Sequence, residues 1–441
     1  MTDKDKSGRL SRRQFIGGIA GLAGLGLIGT GAYWLPKTGL FRAAKSNVRA
    51  LSGDLDAQYV RQIITTDPAT SRRIMWETMN DLKSPAVEYR PAGAGDAAIR
   101  QVAAADETFT DDDHTSHQYG AMLDDLTPGT SYEYRVRSDK AASDWHALNT
   151  PARDTDTFRA LIFPDSQSND YSDWENMAQA AWQSHGADLF INMGDLVDNG
   201  EDRSQWQAWF DAVRGMIDTI PFAPIMGNHE TYNRKWKVRL PEAYLNYFDV
   251  PANHSPQFER YYYSFDYGNV HFIVLNSQWE ETDEFKSGLR DEQIPWLRQD
   301  VANTDKKWKV VLIHRDVLQY RIHNRPERKE GISDIGELFM PLFDELGIDI
   351  VFTAHLHTYR DRGHLYNLHP SPDGRGPLYI LTGVAGNVRY PGLWIDHAYD
   401  KYVAPQPETD NYLTLDASPD TLTVRCYLPD GQQLDEAVVR K

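Results

Sequence analysis

Five short polar segments, each directly after an apolar stretch, constrain the fold of this chain more than any other feature. The apolar stretches have the length and composition of buried strands, as in residues 158–163 and 189–193. Between several of them lie segments with helical periodicity, such as 174–185 and 204–217. Alternating strands and helices indicate an α/β fold, which gathers its functional loops at the carboxyl ends of its strands. The polar segments are residues 163–167, 193–200, 226–230, 312–315 and 353–357.

These segments offer side chains of the kinds that bind transition metals. Each segment alone would fit a helix cap or a tight turn, but five in order indicate one shared site. They contain at least three oxygen-bearing side chains and three histidines, a donor set that suits Mn, Fe or Zn. Two such cations about 3.5–4 Å apart can clamp an in-line displacement at a phosphoester. The pattern therefore predicts a dinuclear metal site.

The chain before residue 153 has a different pattern, with short alternating strands between Gly and Pro turns. About seven such strands would form an all-β sandwich, which we expect over residues 55–152. The segment 126–136, Leu-Thr-Pro-Gly-Thr-Ser-Tyr-Glu-Tyr-Arg-Val, resembles fibronectin type III-like domains. His114 and His117 lie beside the acidic run 111–113, and we expect an exposed acidic loop there rather than a metal site.

The segment from about residue 158 to 430 resembles the calcineurin-like metallophosphoesterase superfamily, and within it the purple acid phosphatase-like branch. The resemblance extends beyond the polar segments to residues 260–272, 293–297, 357–360 and 378–383. It implies an α/β catalytic domain over residues 157–441, built as a four-layer β-sandwich flanked by helices. An all-β sandwich domain before the catalytic domain is also the arrangement of that branch.

The resemblance implies a role for each donor in the polar segments. Two metal ions, divalent or trivalent and drawn from Fe, Mn and Zn, would occupy the site. His229 would bind no metal and would act as a general acid or as a partner of a phosphate oxygen. The implied ligands are Asp165 and His357 for the first metal, Asp195 as the bridge, and Asn228, His314 and His355 for the second metal.

The sequence departs from purple acid phosphatases at the first metal. In that branch the residue three after the bridging aspartate is an iron-binding tyrosine, whereas this chain has Asp198. We expect Asp198 to pair with His229, because a carboxylate partner fixes the imidazole tautomer and keeps it able to donate a proton. The alternative is that Asp198 caps a turn. We expect Gln167 to replace the missing tyrosine as a ligand of the first metal. The alternative is that Gln167 contacts only the direct ligands or a metal-bound water. Purple colour is not expected.

The substrate side of the site is less specified by the sequence. Arg315 directly follows His314 and would bind phosphate as a planar fork, together with Asn228 and His229. A solvated surface arginine is the alternative. Trp279 and Tyr232 would either wall the pocket or pack in the core.

The first residues resemble a twin-arginine export signal, with Arg12 and Arg13 before an apolar run at 15–35. We expect a signal over residues 1–45, export through the twin-arginine machinery, and a periplasmic or extracellular protein. The alternative is that residues 15–35 remain as a membrane anchor. The net charge of -18 argues against nucleic acid as a partner.

The sequence thus predicts hydrolysis of small phosphoesters, monoesters foremost, by a metal-bridging hydroxide. One alternative is a phosphodiesterase or nucleotide hydrolase of the same fold. Another is a surface module that binds metal without being an enzyme. Retention of both Asn228 and His229 favours an enzyme, since a binding module would not need them.

Overall fold

The structure is a computed structural model that describes residues 55–405 and 410–441. The predicted signal over residues 1–45, including the paired arginines and the apolar run 15–35, lies outside the described residues. Among the residues that are described, no helix is long and apolar enough to cross a membrane. Residues Leu55–Lys441 form one compact unit.

The N-terminal strands form two sheets that face each other. One sheet has the order β1-β2-β6-β5 and the other β4-β3-β7-β8. Alternate residues of each strand enter a shared core, where the Trp76 and Tyr119 rings stack at 5.3 Å and meet Val87 and Tyr134 of the other sheet. The strands are β1 (Gln58–Ile63), β2 (Arg72–Thr78), β3 (Ala86–Pro91), β4 (Arg100–Ala103), β5 (Ala105–Asp111), β6 (His114–Leu123), β7 (Ser131–Arg137) and β8 (His146–Asn149).

The exposed acidic loop expected around His114 is a tight turn, in which Asp113 and His114 are exposed but Asp111 and Asp112 are half-buried. Residues 111–114 form the tight end of the β5–β6 hairpin, and His114 already belongs to β6. Asp111 binds Arg239 at 2.9 Å, and Asp112 binds Arg234 at 2.8 Å. These arginines lie more than a hundred residues further along the chain, so local sequence could not reveal that they neutralise the acidic turn.

The remaining elements alternate as the sequence predicts for an α/β fold. The helices are α1 (Ser172–His185), α2 (Arg203–Ala212), α3 (Glu242–Tyr247), α4 (Trp279–Thr282), α5 (Leu289–Asn303) and α6 (Asp334–Leu346). The strands are β9 (Phe158–Phe163), β10 (Leu189–Asn192), β11 (Phe222–Pro224), β12 (Tyr263–Tyr267), β13 (Val270–Leu275), β14 (Trp308–Ile313), β15 (Leu318–Gln319), β16 (Arg321–Ile322), β17 (Gly331–Ile332), β18 (Ile350–Thr353), β19 (Tyr359–Tyr366), β20 (His369–Pro370), β21 (Leu378–Thr382), β22 (Trp394–Ile395), β23 (Tyr402–Val403), β24 (Tyr412–Ala417), β25 (Thr421–Tyr427) and β26 (Gln433–Arg440).

Two mixed sheets form the inner layers, and helices cover their outer faces. Phe158 of β9 packs on Phe272 of β13 across the two sheets, with ring centroids 6.3 Å apart. Phe163, on the opposite face of β9, packs on Trp174 of α1. On the outer face of β13, His271 binds Asp300 of α5 at 2.9 Å. The order helix, sheet, sheet, helix is the expected four-layer sandwich.

The first of these sheets continues into the N-terminal sandwich. Its order is β26-β25-β24-β9-β10-β11-β1-β2-β6-β5, and β11 meets β1 through the pair Phe222 and Ile63. The second sheet has the order β12-β13-β14-β18-β21-β19-β20, with β23 beside β19. A shared sheet therefore connects the N-terminal strands to the strands that carry the polar segments.

Parallel pairing brings the five polar segments to one edge of the inner layers. In the first sheet β9, β10 and β11 are parallel, and in the second β14 and β18 are parallel. Each of these strands ends within or just before one of the polar segments. Because the carboxyl ends of parallel strands lie at the same edge, loops from both sheets converge there. The helix predicted to reach residue 217 ends at Ala212, shortly before the left-handed Gly215.

Candidate metal centre

Asp195 lies at the centre of the converging loops and belongs to two groups of potential metal ligands. One group combines it with Asp165 and His357, and the other with His314 and His355. Within each group the donor atoms all lie within 4.8 Å of one another. A carboxylate shared by two such groups has the arrangement needed to bridge two cations.

The first group is completely buried. His357 Nε2 lies 3.0 Å from Asp165 Oδ2, and the amide nitrogen of His355 donates to the same carboxylate at 3.1 Å. Gln167 is also buried, with its side-chain nitrogen 3.4 Å from His357 Nε2. Rotating this amide by half a turn would place its oxygen beside His357 Nε2, where it could share a cation with the imidazole.

The second group is built around His314. Its Nε2 lies 3.1 Å from Asp195 Oδ2 and 3.2 Å from the side-chain oxygen of Asn228. The His355 ring stands almost perpendicular to the His314 ring, with centroids 5.2 Å apart. The structure therefore brings Asn228, His314 and His355 together on one side of Asp195.

Two of the histidines are oriented by backbone carbonyls. His314 Nδ1 contacts the Met193 carbonyl at 2.8 Å, and His357 Nδ1 contacts the Val388 carbonyl at 2.6 Å. A carbonyl partner places the ring proton on Nδ1 and leaves the Nε2 lone pair facing the carboxylates. This is how proteins prepare an imidazole to bind a metal.

The buried charges of the site act strongly on each other. Burial alone would raise the pKa of Asp195, but His314 and His229 outweigh it and hold that pKa far below its usual value. Burial would lower the pKa of His314, but Asp195 and Asp165 reverse this and raise it to about 9. For His355, burial and the neighbouring His314 lower the pKa well below its usual value. The site thus keeps Asp195 ionised and His355 neutral, whereas a metal ion at His314 Nε2 would have to displace a tightly held proton.

Two orphaned polar atoms indicate that the donors fit metal ions. Gln167 Oε1 and His355 Nδ1 are buried and have no hydrogen-bond partner among the residues that the structure describes. Buried polar atoms almost always have a partner, and these two belong to opposite groups of the site. A cation in the second group would be a partner for His355, and a cation in the first group would be a partner for the Gln167 oxygen once the amide is rotated by half a turn.

The ligand loops hold an unusual backbone. Asp195, His355 and His357 all have positive φ angles, of 49°, 75° and 54°, a conformation that costs energy for residues with a side chain. Close approach adds a second constraint, because a Cβ on Gly194 would lie 2.6 Å from His314 Nδ1. Strain concentrated at the proposed ligands indicates that the fold is organised to hold them.

His229 and Asp198 lie together, but not through the expected carboxylate bond. His229 Nδ1 is 2.8 Å from the backbone carbonyl of Asp198, whereas the nearer carboxylate oxygen is 3.5 Å away. His229 Nε2 points toward Asp195, at 3.9 Å from Oδ2. Asp198 therefore orients the imidazole mainly through its carbonyl, which a sequence motif cannot show.

Arg315 is paired with two glutamates, which the prediction that it binds phosphate did not include. Its guanidinium binds Glu280 at 3.2 Å and makes a shorter contact with the buried Glu281. A phosphate would have to compete with these carboxylates. Of the two suggested pocket aromatics, Tyr232 has its ring 5.6 Å from the His229 ring, whereas Trp279 is buried against Phe339.

Sequence reasoning missed the role of Glu230. Its buried carboxylate accepts backbone amides from Asp195 at 3.0 Å, Leu196 at 2.8 Å and Gly227 at 2.7 Å. It thereby ties the loop of the bridging aspartate to the loop of Asn228 and His229. Glu230 completes the Gly-Asn-His-Glu segment, so the sequence does mark this residue. Its partners could not be predicted, because they are backbone amides and not particular side chains.

Comparison with known proteins agrees with this geometry. The calcineurin-like phosphoesterase family model matches residues 140–359, and the purple acid phosphatase N-terminal domain model matches residues 57–150. Purple acid phosphatase 15 of Arabidopsis thaliana is 31% identical over 211 residues, which cover 46% of this chain and 36% of that protein. Purple acid phosphatase 18 of the same plant is 26% identical over 349 residues, which cover 76% of this chain and 71% of that protein.

A solved structure shares the fold. Purple acid phosphatase PPD1 from yellow lupin (Lupinus luteus) seeds aligns with a TM-score of 0.72 at 18% identity, covering 87% of this chain and 74% of that one. This chain spans about a third of the length of purple acid phosphatase 15, at 36%. The two matched domains follow each other in the same order as the N-terminal sandwich and the strands that carry the converging loops. The chain belongs to the calcineurin-like metallophosphoesterase superfamily, in its purple acid phosphatase-like branch.

Proposed function

We propose that this protein hydrolyses phosphomonoesters with two metal ions. The observation that carries the proposal is Asp195, whose carboxylate belongs to both groups of buried donors. Asp165, Gln167 and His357 would hold one ion, and Asn228, His314 and His355 the other. Two bound cations would neutralise phosphate charge and lower the pKa of a bound water.

The residues around this centre supply the proton needed by the leaving group. In hydrolysis a water oxygen bonds to phosphorus, the ester P–O bond breaks, and the departing alkoxide needs a proton. His229 faces Asp195 with Nε2 and is fixed at Nδ1 by the Asp198 carbonyl. An imidazole held beside the phosphate in this way is suited to donate that proton or to bind a phosphate oxygen.

The composition of the first site bears on the choice of metal. Asp198 stands where the branch has an iron-binding tyrosine, and Gln167 offers an amide oxygen instead. We propose Fe, Mn or Zn without the charge-transfer colour that a phenolate ligand would give. Metal analysis by mass spectrometry with an absorption spectrum of the loaded protein tests this, and an intense visible band would contradict it.

Hydrolysis of nitrophenyl phosphate and bis-nitrophenyl phosphate by the metal-loaded protein tests the activity. We expect turnover of the monoester to exceed that of the diester, and Asp195→Asn to lose about a hundred- to a thousandfold in kcat, as is typical when charge stabilisation is removed. Asp96→Asn is the matched control, because Asp96 is an exposed aspartate between β3 and β4 that belongs to neither group of donors. No turnover with any of the three metals, or full activity of Asp195→Asn, would overturn the proposal.

We also propose export through the twin-arginine machinery, supported by Arg12 and Arg13 before the apolar run. Replacing both arginines by lysine keeps the charge but should hold the protein in the cytoplasm. Fractionation of expressing bacteria measures this. Only the N-terminal pair is changed, and the internal pair Arg72 and Arg73 stays as it is. Unchanged export of the double variant would contradict the proposal, and a membrane-bound product would favour the anchor.

A further inference from the structure

Trp236 is an exposed aromatic ring at the rim of the metal centre. It is 56% exposed, and its ring stands perpendicular to the His229 ring with centroids 5.6 Å apart. Tyr232 lies beside it at 6.2 Å. Among the described residues only two other large apolar side chains are exposed, Phe285 at 49% and Tyr390 at 36%.

The loop that carries Trp236 is rigidly built. The side-chain oxygen of Asn233 accepts the amides of Lys235 at 2.8 Å and Lys237 at 2.9 Å, and the Asn233 carbonyl accepts the amide of Trp236 at 2.9 Å. Trp236 itself has a positive φ of 59°. A strained backbone that presents a large ring to water has two costs, and such costs concentrate at binding sites.

Tyr390 stands at another part of the same rim. It is 36% exposed, and its ring lies 4.8 Å from the His357 ring at an angle of 35°. Its loop is fixed from both sides, since Arg389 binds Asp410 at 2.6 Å and the Val388 carbonyl holds His357 at 2.6 Å. Two of the three exposed aromatics thus contact a histidine of the metal centre, one on each group of loops.

We propose that Trp236 and Tyr390 form an aromatic subsite that binds a planar ring in the alcohol part of the substrate. This inference rests on the proposed phosphomonoesterase function and names its preferred substrate class. The phosphate would lie at Asp195 between the two groups of donors, so the alcohol must leave past the rim where His229 donates its proton. An exposed indole and an exposed phenol on that path offer faces on which a planar aromatic ring can stack.

A ring of this kind has two sources, a nucleobase or a simple aryl group, and two matched substrate pairs distinguish them. Adenosine 5′-monophosphate and ribose 5-phosphate have the same reacting bond and differ in the base. Benzyl phosphate and cyclohexylmethyl phosphate differ in ring aromaticity with similar leaving alcohols. We expect kcat/KM to favour the aromatic member by about tenfold in at least one pair, as one stacked ring is typically worth about 1.4 kcal/mol.

Variants locate this preference. Trp236→Leu and Tyr390→Leu should each reduce the ratio of kcat/KM within the favoured pair, whereas Trp236→Phe and Tyr390→Phe should keep most of it. Phe285→Leu is the matched control, because this exposed ring contacts none of the centre's histidines in the described structure. Adenosine alone should inhibit ribose 5-phosphate hydrolysis by the unchanged protein more strongly than ribose does, if the base is the ligand.

The outcomes separate this inference from the function on which it rests. Hydrolysis of ribose 5-phosphate and cyclohexylmethyl phosphate with no preference in either pair would overturn the aromatic subsite and leave the phosphomonoesterase intact. A preference that survives both leucine variants would also overturn it. Failure to hydrolyse any member of the two pairs would contradict the proposed function itself.

Discussion

The carboxylate of Glu230 accepts the backbone amide of Asp195 at 3.0 Å, so a buried acid fixes the residue that both metal groups share. The same carboxylate accepts the Gly227 amide at 2.7 Å. Burial and the neighbouring Asp195 raise the pKa of Glu230, and the backbone amides of Gly227 and Leu196 oppose that rise. The loop geometry of the centre therefore depends on a residue that contacts backbone rather than metal.

Replacing Glu230 by Gln should loosen both loops. Glutamine supplies one acceptor oxygen, and its amide NH2 group would face backbone N–H donors. At least one buried donor would then remain unpaired. We expect a loss of about 1–3 kcal/mol in unfolding free energy and roughly ten- to a hundredfold weaker metal binding. Denaturant unfolding and competition with a chelator measure these effects. Glu175→Gln, on an exposed position of α1, is the control, and equal metal affinity in the two variants would contradict the prediction.

The metal donors could be predicted because each follows an apolar strand within a short segment. A buried strand has a visible composition, and parallel pairing then brings Asp165, Asp195 and His355 to one edge without further information. The carbonyl acceptor of His229 could not be predicted, because every residue has a carbonyl. The pairing of Arg315 with Glu281 depends on the path of α4, which no local pattern specifies.

The contacts of the N-terminal hairpin were invisible for another reason. Asp112 and Arg234 are separated by more than a hundred residues, and an acidic turn in isolation resembles a solvated loop. The same limit applies to Trp236 and Tyr390, whose exposure follows from the loops that carry them. Sequence patterns report burial and periodicity, and they carry little information on which surface loops meet.

The Asp112–Arg234 pair should couple the N-terminal hairpin to the loop of Trp236. Arg234 is largely exposed, so a double-mutant cycle of Asp112→Asn and Arg234→Gln should give a coupling of only about 0.2–1 kcal/mol. Asp112 also accepts the amide of Arg203 at 3.1 Å. Loss of the Asp112 carboxylate should speed hydrogen exchange in residues 231–239. Disrupting the exposed pair Arg298 and Glu345 should leave that exchange unchanged. Equal exchange in both would contradict the coupling.

Arg315 and Glu281 should act in opposite directions on substrate binding. If phosphate reaches the guanidinium, it competes with the Glu281 carboxylate, so Glu281→Gln should lower KM by a few fold. Arg315→Gln should raise KM, because it removes the planar fork. Steady-state kinetics on one monoester measure both, with thermal unfolding to monitor the broken pair. A higher KM in both variants would show that the pair serves the fold rather than the substrate.

His271 should make stability depend on pH. It is buried between Asp266, at 2.7 Å, and Asp300 of α5, at 2.9 Å. Burial alone would lower its pKa, but hydrogen bonds to both carboxylates raise the pKa to about 9 from an ordinary 6.5. The folded protein then binds the proton more tightly than the unfolded chain, so stability from this group falls as pH rises.

The stabilisation by His271 should be complete below pH 6.5, be lost as pH rises through about 9, and amount to at most about 3 kcal/mol. Other groups titrate in the same range, so the informative quantity is the difference in unfolding free energy between the unchanged protein and His271→Gln. That difference should shrink steadily across the window. His364→Gln, at a histidine whose Nδ1 contacts the Gly376 carbonyl instead of a carboxylate, is the matched histidine-to-glutamine control. A constant difference for His271→Gln would mean that the histidine links β13 to α5 by packing and not by its charge.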